Sequence, residues 1–228
     1  AMLEKIQGES PYFSPTDMGV NMAGYCIFDD DAVKKAAERE ILRRYYQTAV
    51  AEKRCGSDGS QTQKMELMLN RAEIATTVRP VIAAAAARAE VSGSPAGALE
   101  LPDGDIVTGK TTTLLEATAA LLLNALKRLA GIDQETDIIS PQALEPICNL
   151  KVRHLHHKNP RLHADEVLIA LSISSTRNAD AAKALEQLEK LRGCDAHYTV
   201  ILSRMDEKTH KALGIHATSE PKYEVKPV

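Results

Sequence analysis

The stretch from residue 97 to residue 130 constrains the fold of this chain most strongly. Two short runs, 97–101 and 105–108, flank the sequence Pro102-Asp103-Gly104. Pro, Asp and Gly in succession are typical of a tight turn, so the pattern predicts a β-hairpin over residues 97–109. Leucine and alanine then recur on most sides of residues 111–130, which predicts a largely buried helix against the hairpin. We therefore expect a helix-rich α/β (α+β) fold, with a small sheet flanked by several helices.

The same stretch matches the spacing of a phosphate-binding loop. Gly104 and Gly109 are separated by four residues, and Lys110 and Thr111 follow. A true loop of this kind follows a buried strand and wraps phosphate with glycine-rich backbone before a helix begins. Here the first glycine follows a turn sequence, and Ile106 and Val107 have the character of a strand. We therefore favour the hairpin, while the nucleotide loop remains the alternative.

A simpler anion site is still possible at the start of the predicted helix. Free N–H groups at a helix N-terminus favour an anion, and Lys110 adds positive charge there. The hydroxyls of Thr111, Thr112 and Thr113 add donors. The polar loop at 14–21 supplies further candidates. The hypothetical ligand-binding residues are Lys110, Thr111, Thr112, Thr16 and Asp17. In the competing interpretation a threonine only caps the helix and the lysine points into water.

The remainder of the chain predicts mostly helices. Asp29–Asp31 begin one of about 24 residues, and others follow Gln61 and Pro141. Residues 167–174 alternate like a strand but follow Asp165-Glu166, so we favour a helix there and leave the strand open. Further elements are helices at 179–192 and 206–213 and strands at 197–202 and 215–218. We divide the chain into an N-terminal segment with long helices, 1–92, and an α/β core, 93–228, packed as one unit.

Composition argues against several classes of function. The net charge is −3 and aromatic residues make up only 4% of the chain, so neither a basic field nor a stacking platform recruits nucleic acid. No apolar run reaches the length of a membrane span, and the four cysteines form no Cys-x-x-Cys. We expect a cytoplasmic protein with reduced thiols and no nucleic-acid or membrane partner. Cys26, Cys194 and Ser14 are possible nucleophiles, but none has an orienting base and acid in its local sequence.

The clustered histidines are the other candidate site. His154, His156, His157 and His163 lie within ten residues, yet no cysteine or carboxylate accompanies them at a zinc spacing. We therefore expect no metal. The order helix, hairpin, buried helix also resembles the opening of the cytidine-deaminase architecture. That chemistry requires His-x-Glu and Pro-Cys-x-x-Cys, which the chain lacks, so any such layout would be without zinc ligands.

Several segments together resemble a bacterial protein family known as domain of unknown function 1846. They appear in one order along nearly the whole chain: 14–21, 99–104, 107–110, 139–141 with 144–146, 166–172, and 193–203. The family has no established activity. The resemblance implies a protein about twice this length, of which this chain is the C-terminal portion, preceded by a nucleotide-binding-like domain.

Two functions are consistent with these observations. In the first, the chain contributes an anion- or phosphate-binding half-site to an enzyme whose other half is that N-terminal domain. In the second, it is a non-catalytic interaction module whose Ala- and Leu-rich helices form subunit contacts. We expect a homo-oligomer in either case. The cofactor, the substrate and the reaction are unknown.

Overall fold

The structure is a computed structural model that describes residues 30–224. Within that range the chain forms eight α-helices, two short 3-10 turns and four strands. The order is α1 Asp30–Cys55, α2 Ser60–Arg71, a 3-10 turn Thr76–Val78, α3 Val81–Ser92, β1 Ala96–Glu100, β2 Ile106–Lys110, α4 Ala117–Leu129, α5 Pro141–Arg153, α6 Ala164–Ser174, α7 Ala179–Leu185, a 3-10 turn Leu188–Leu191, β3 Asp195–Tyr198, α8 Arg204–Leu213 and β4 His216–Ser219.

The four strands form one mixed sheet in the order β2-β1-β3-β4. Strand β1 is antiparallel to both β2 and β3, whereas β3 and β4 are parallel. The predicted hairpin is confirmed: Gly104 adopts a φ of 87°, and Leu101 N–H donates to the carbonyl of Asp105 at 2.8 Å. Because Gly104 lies in this turn and Ile106 begins β2, residues 104–109 form a turn and a strand and do not wrap a phosphate.

Helices cover both faces of the sheet. On one face Val81 and Ala85 of α3 pack against Ala98 of β1. On the other face α4 lies directly on the hairpin, where an added Cβ at Gly109 would be 2.3 Å from the backbone nitrogen of Leu121. The largest hydrophobic cluster surrounds α4 and includes residues of α6 and α7. The predicted buried central helix is therefore confirmed, and glycine allows it to approach the sheet closely.

The N-terminal boundary of α4 differs from the prediction. The helix begins at Ala117, not near Thr111. The hydroxyl of Thr112 accepts the N–H groups of Leu114 and Leu115, which closes a turn. The chain then runs extended beside Leu162, which donates its N–H to Leu114 and accepts that of Glu116. A contact almost fifty residues away in sequence thus delays the helix by six residues.

Some of the other predicted elements are confirmed, and others have different bounds. Residues 164–174 are a helix, as favoured, and the predicted final strand is present as β4. The predicted helix at 179–192 ends at Leu185, and a 3-10 turn follows. Strand β3 begins at Asp195 and ends at Tyr198, earlier than predicted. The order α3-hairpin-α4, on which the deaminase-like layout was based, is present; the layout itself stays a prediction.

A buried arginine connects the segment before the hairpin to the far edge of the sheet. Arg79 has no exposed surface. Its guanidinium donates to the Thr218 hydroxyl at 2.7 Å and to the carboxylate of Asp195 at 3.2 Å. Because a buried charge is tolerated only with such partners, Arg79 fixes the 3-10 turn 76–78 against β3 and β4. The predicted domain division at residue 92 is not tested by these contacts and stays a prediction.

Candidate functional site

The sequence-predicted ligand residues lie around a cleft of about 340 Å³ beside α4. Lys110 ends β2, and Thr112 and Thr113 follow it in the loop before α4; all three line this cleft. Thr111 does not line it, because its side chain is buried, and its hydroxyl has no hydrogen-bond partner among residues 30–224. Thr16 and Asp17 lie outside the described residues, as do Ser14 and Cys26.

The proposed physical basis of that site is wrong in one respect. We expected the free N–H groups of a helix beginning near Thr111 to attract the anion, but α4 begins six residues later. The N–H of Thr111 donates instead to the carbonyl of Pro95 at 2.8 Å, and the Thr112 hydroxyl is occupied by the turn. The dipole of α4 therefore does not act at Lys110. Side-chain charge remains a source of attraction for an anion.

Side-chain charge is indeed concentrated there. Arg88 of α3 and Lys127 of α4 line the same cleft as Lys110, and Asp137 is its one acidic lining residue among those that the structure describes. The Nε atom of Arg88 is buried and has no hydrogen-bond partner in the described range. Lys110 forms no ion pair there either. We name this the cationic cleft.

Lys127 differs from the other two cations. Its ammonium donates to the carbonyl of Gln134 at 2.5 Å and to that of Thr136 at 3.3 Å. Burial lowers the pKa of Lys127, with nearby Asp137 acting in the opposite direction. The two carbonyls accept two of its three donors without neutralising its charge, so the residue adds positive charge to the cleft.

A second cleft, of about 390 Å³, lies at the N-terminus of α4. The N-termini of α4, α6 and α8 converge there, and we name it the histidine cleft after His163, which immediately precedes α6. His163 Nδ1 is 3.0 Å from Oδ2 of Asp206, the third residue of α8. The two residues are 43 positions apart, and nothing in our sequence analysis paired them.

Asp206 is the most highly coordinated carboxylate in this cleft. Oδ1 accepts the Thr118 hydroxyl and the backbone N–H of Ala164, each at 2.9 Å. Oδ2 accepts the Ser203 hydroxyl at 2.6 Å in addition to His163. Burial alone would raise the pKa of Asp206, but the hydrogen bonds from His163, Ser203 and Ala164 outweigh it and hold the pKa at about 2. The residue is therefore an anion at neutral pH.

That anion determines the state of the histidine. Because ionised Asp206 only accepts hydrogen bonds, His163 must present Nδ1–H to it. The hydrogen bond to Asp206 raises the pKa of His163, against the opposing effect of burial. Glu166 accepts the backbone N–H of His163 at 2.8 Å and pairs with the buried ammonium of Lys151 at 2.5 Å. His163 is thus held through its ring by Asp206 and through its backbone N–H by Glu166.

A second histidine lies behind the first one. His210 Nδ1 is 2.8 Å from the backbone carbonyl of Asp206, so it donates, and its Nε2 then accepts the Tyr198 hydroxyl at 2.6 Å. Burial lowers the pKa of His210 and raises that of Tyr198, so both groups remain neutral near pH 7. This pair supports the base of the histidine cleft without adding charge.

The other sequence candidates are not brought together. His154, His156 and His157 are exposed on the segment that ends α5, apart from half-buried His163. Between residues 30 and 224 no group of three or more His, Cys, Asp or Glu side chains is placed to hold a metal ion. Cys194 is buried, and burial raises the pKa of its thiol to about 11, which disfavours the reactive thiolate.

Comparison with known proteins identifies the family. Residues 77–228 match the family model "Domain of unknown function DUF1846, C-terminal", and residues 1–73 match the model of its N-terminal domain. The chain belongs to the DUF1846 family. A UPF0371 protein of Corynebacterium urealyticum is 52% identical over 222 residues, which is 97% of this chain and 45% of that protein. One from Streptococcus thermophilus is 50% identical over 98% of this chain and 45% of its own length.

The chain matches only part of these relatives. It spans about half the length of the curated relatives it matches, and those relatives carry names that assign no activity. The boundary between the two family models lies between residues 73 and 77, before the division that we predicted at 92.

None of the helices in the described range is long and apolar enough to cross a membrane.

Proposed function

We propose that this chain contributes an anion-binding half-site, the cationic cleft, to an enzyme whose remaining parts lie in the longer protein. The observation that carries the proposal is the concentration of Arg88, Lys110 and Lys127 around one cleft in a chain of net charge −3. These three cations share the cleft with a single acidic lining residue, Asp137, so they repel one another, and a bound anion reduces that repulsion.

The buried Nε of Arg88 supports the same proposal. A buried N–H without an acceptor destabilises a protein by about 1–3 kcal/mol. A phosphate or carboxylate oxygen in the cleft would accept this hydrogen bond and leave the other guanidinium donors available for a second oxygen, as is common in arginine sites. Lys110 and Thr113 line the same cleft and would complete the contacts.

The size of the cleft favours a small ligand. A volume of about 340 Å³ is at the lower end of the range for small-molecule sites, about 300–1,000 Å³. Apolar side chains such as Leu114, Leu123 and Ile139 form the rest of its wall. We therefore expect a compact phosphate- or carboxylate-bearing metabolite, held more tightly in the longer protein, where the N-terminal half supplies further contacts.

Calorimetric titration with pyrophosphate tests the proposal. The 228-residue chain should bind this probe, and Lys110→Ala should weaken binding by about ten-fold or more, since one charge-assisted hydrogen bond contributes about 1.5–3 kcal/mol. Lys64→Ala is the matched control, because Lys64 is an exposed lysine of α2 that does not line the cleft. Equal affinities of the wild type and Lys110→Ala would remove the cationic cleft as the binding site.

The second candidate is an interaction module that pairs with another copy of the chain. Ile169 and Ile173 of α6 are 60% and 66% exposed, and they lie on one helix face because they are four residues apart. Exposed aliphatic residues at this spacing are typical of a helix that packs on a partner. Sedimentation of the wild type beside the double variant Ile169→Ser, Ile173→Ser would detect loss of a homo-oligomer.

A further inference from the structure

The histidine cleft carries an inference that is independent of anion binding. His163 presents Nδ1–H to Asp206, so the lone pair of the neutral ring is on Nε2. Nε2 forms no hydrogen bond with any residue between 30 and 224, while the side chain is 26% exposed and lines the cleft. A buried carboxylate that orients one ring nitrogen while the other faces a cleft is the arrangement of a general base.

We propose that His163 is a general base: its Nε2 removes the proton of a water molecule or hydroxyl group that attacks a small ester bound in the histidine cleft. Asp206 is the positioning residue. As the O–H bond breaks, the proton goes to Nε2 and the oxygen forms a bond to the carbonyl carbon. The alkoxide or phenoxide leaves, and the imidazolium returns its proton to that leaving group or to solvent.

The surroundings of the dyad suit this role. Asp206 has only 4% of its side chain exposed and four donors on its carboxylate, so it remains an anion and stabilises the imidazolium that forms. Ala117, Tyr198 and Leu202 supply an apolar wall for an organic substrate. Exposed Arg204 lies at the cleft and forms no ion pair in the described range, so it is available to an oxyanion.

Ser203 is not the nucleophile in this proposal. Its hydroxyl donates to Asp206 at 2.6 Å and accepts the backbone N–H of the same residue at 3.1 Å. That hydrogen-bonding pattern is that of an N-terminal helix cap, and it leaves no hydrogen bond to His163. The attacking oxygen must therefore come from water or from the substrate.

The competing interpretation is that the dyad only joins helices. Asp206 connects the N-termini of α4, α6 and α8, and His163 would then be one more donor. His163→Asn separates the two roles, because the asparagine amide retains a donor close to the position of Nδ1–H but has no basic Nε2. A structural role predicts little change in this variant, whereas a general base predicts loss of the reaction.

Hydrolysis of 4-nitrophenyl acetate by the 228-residue chain is the test. We expect the wild type to accelerate hydrolysis over buffer, and His163→Asn to lower the rate by at least about ten-fold, since general bases contribute about 10²–10⁴-fold. His154→Asn, a change at an exposed histidine outside the cleft, should leave the rate unaltered. A His163→Asn variant that melts like the wild type and retains its rate would overturn the proposal, as would a wild type no faster than that variant.

A second measurement on the unmutated chain covers the case in which the variant does not fold. Diethyl pyrocarbonate acylates unprotonated imidazole nitrogens, and peptide mapping locates the modified residues. We expect esterase activity to fall in proportion to modification of His163. Full activity after complete modification of His163, or loss of activity while His163 is unmodified, would contradict the assignment.

Discussion

The two clefts that α4 borders differ in charge and in hydrogen bonding. In the cationic cleft Lys110 lacks a partner and Arg88 has a buried donor without an acceptor, among the described residues. In the histidine cleft every oxygen of the Asp206 carboxylate accepts two hydrogen bonds. The first region lacks a group that a ligand would supply. The second has its charge satisfied internally and leaves one basic nitrogen facing outward.

Stability and binding therefore depend on different clefts beside one helix. Partnered charges hold the three helix N-termini together, so changes there should affect folding. The unpartnered ammonium of Lys110 contributes little to folding, so its removal should affect ligand affinity alone. Because α4 borders both clefts, a substitution at its contact with the sheet should affect both of them. Substitutions within one cleft should have smaller effects.

The largest expected effect is at that contact. In Gly109→Ala the new Cβ would lie 2.3 Å from the backbone nitrogen of Leu121 and 2.5 Å from its Cα, and neither atom can yield unless α4 moves. We expect a loss of about 3 kcal/mol or more in the free energy of unfolding, measured by urea denaturation. Pyrophosphate binding and ester hydrolysis should both be reduced. Gly104→Ala is the control, since its Cβ meets no atom and only the positive φ costs about 1 kcal/mol. Similar losses in the two variants would show that the close approach of α4 is unimportant.

The next effect is an acid-dependent loss of stability in the histidine cleft. The pKa of Asp206 is lowered to about 2 from an ordinary value of 3.8, so its contribution is present above about pH 4 and lost as the pH falls toward 2. A shift of this size corresponds to about 2 kcal/mol. The pKa of His163 is raised, so its share is complete below pH 6.5 and is lost as the pH rises through the folded value.

The comparison variant for this pH dependence is Asp206→Asn. Stability measured by urea denaturation from pH 5 to pH 2.5 should fall less steeply in the variant than in the wild type, because the titrating carboxylate is gone. The matched change Glu207→Gln alters a neighbouring, half-exposed carboxylate and should preserve the steep fall. Identical acid profiles for the wild type and Asp206→Asn would mean that Asp206 is not the stabilising anion.

Sequence reasoning was sufficient for elements that are defined locally. Pro102-Asp103-Gly104 predicted the turn, and the Leu-rich run after it predicted a buried helix, because both depend on neighbouring residues. The start of α4 was missed since the pairing of residues 114–116 with Leu162 is a long-range contact. No local pattern describes such a contact, and the expected helix-dipole site at Lys110 was lost with it.

The histidine cleft shows the same limit for function. The spacing of Ser203 and Asp206 is that of a helix cap followed by an acidic third residue, and His163 similarly precedes Asp165 and Glu166. Both are N-terminal helix signals, and the second favoured the helix predicted at 167–174. His163 and Ser203 both contact Asp206 because three helices pack together, and no local sequence pattern describes that packing. The cluster of histidines at 154–157 was the more visible pattern, and the structure leaves it exposed.

The smallest expected effect is also the one that separates the clefts most clearly. The ammonium of Lys110 has no hydrogen bond or ion pair in the described range, and Arg88 and Lys127 line the same cleft with the same charge. Lys110→Ala should therefore change the free energy of unfolding by less than about 0.5 kcal/mol, with a small gain where the repulsion is relieved. Lys127→Ala, which removes a buried ammonium from two carbonyls, should destabilise by about 1–3 kcal/mol. Thermal and urea denaturation at low salt measure both. If Lys110→Ala destabilised the chain as much as Lys127→Ala, Lys110 would be a structural residue, and the separation of binding from stability would fail in the cationic cleft.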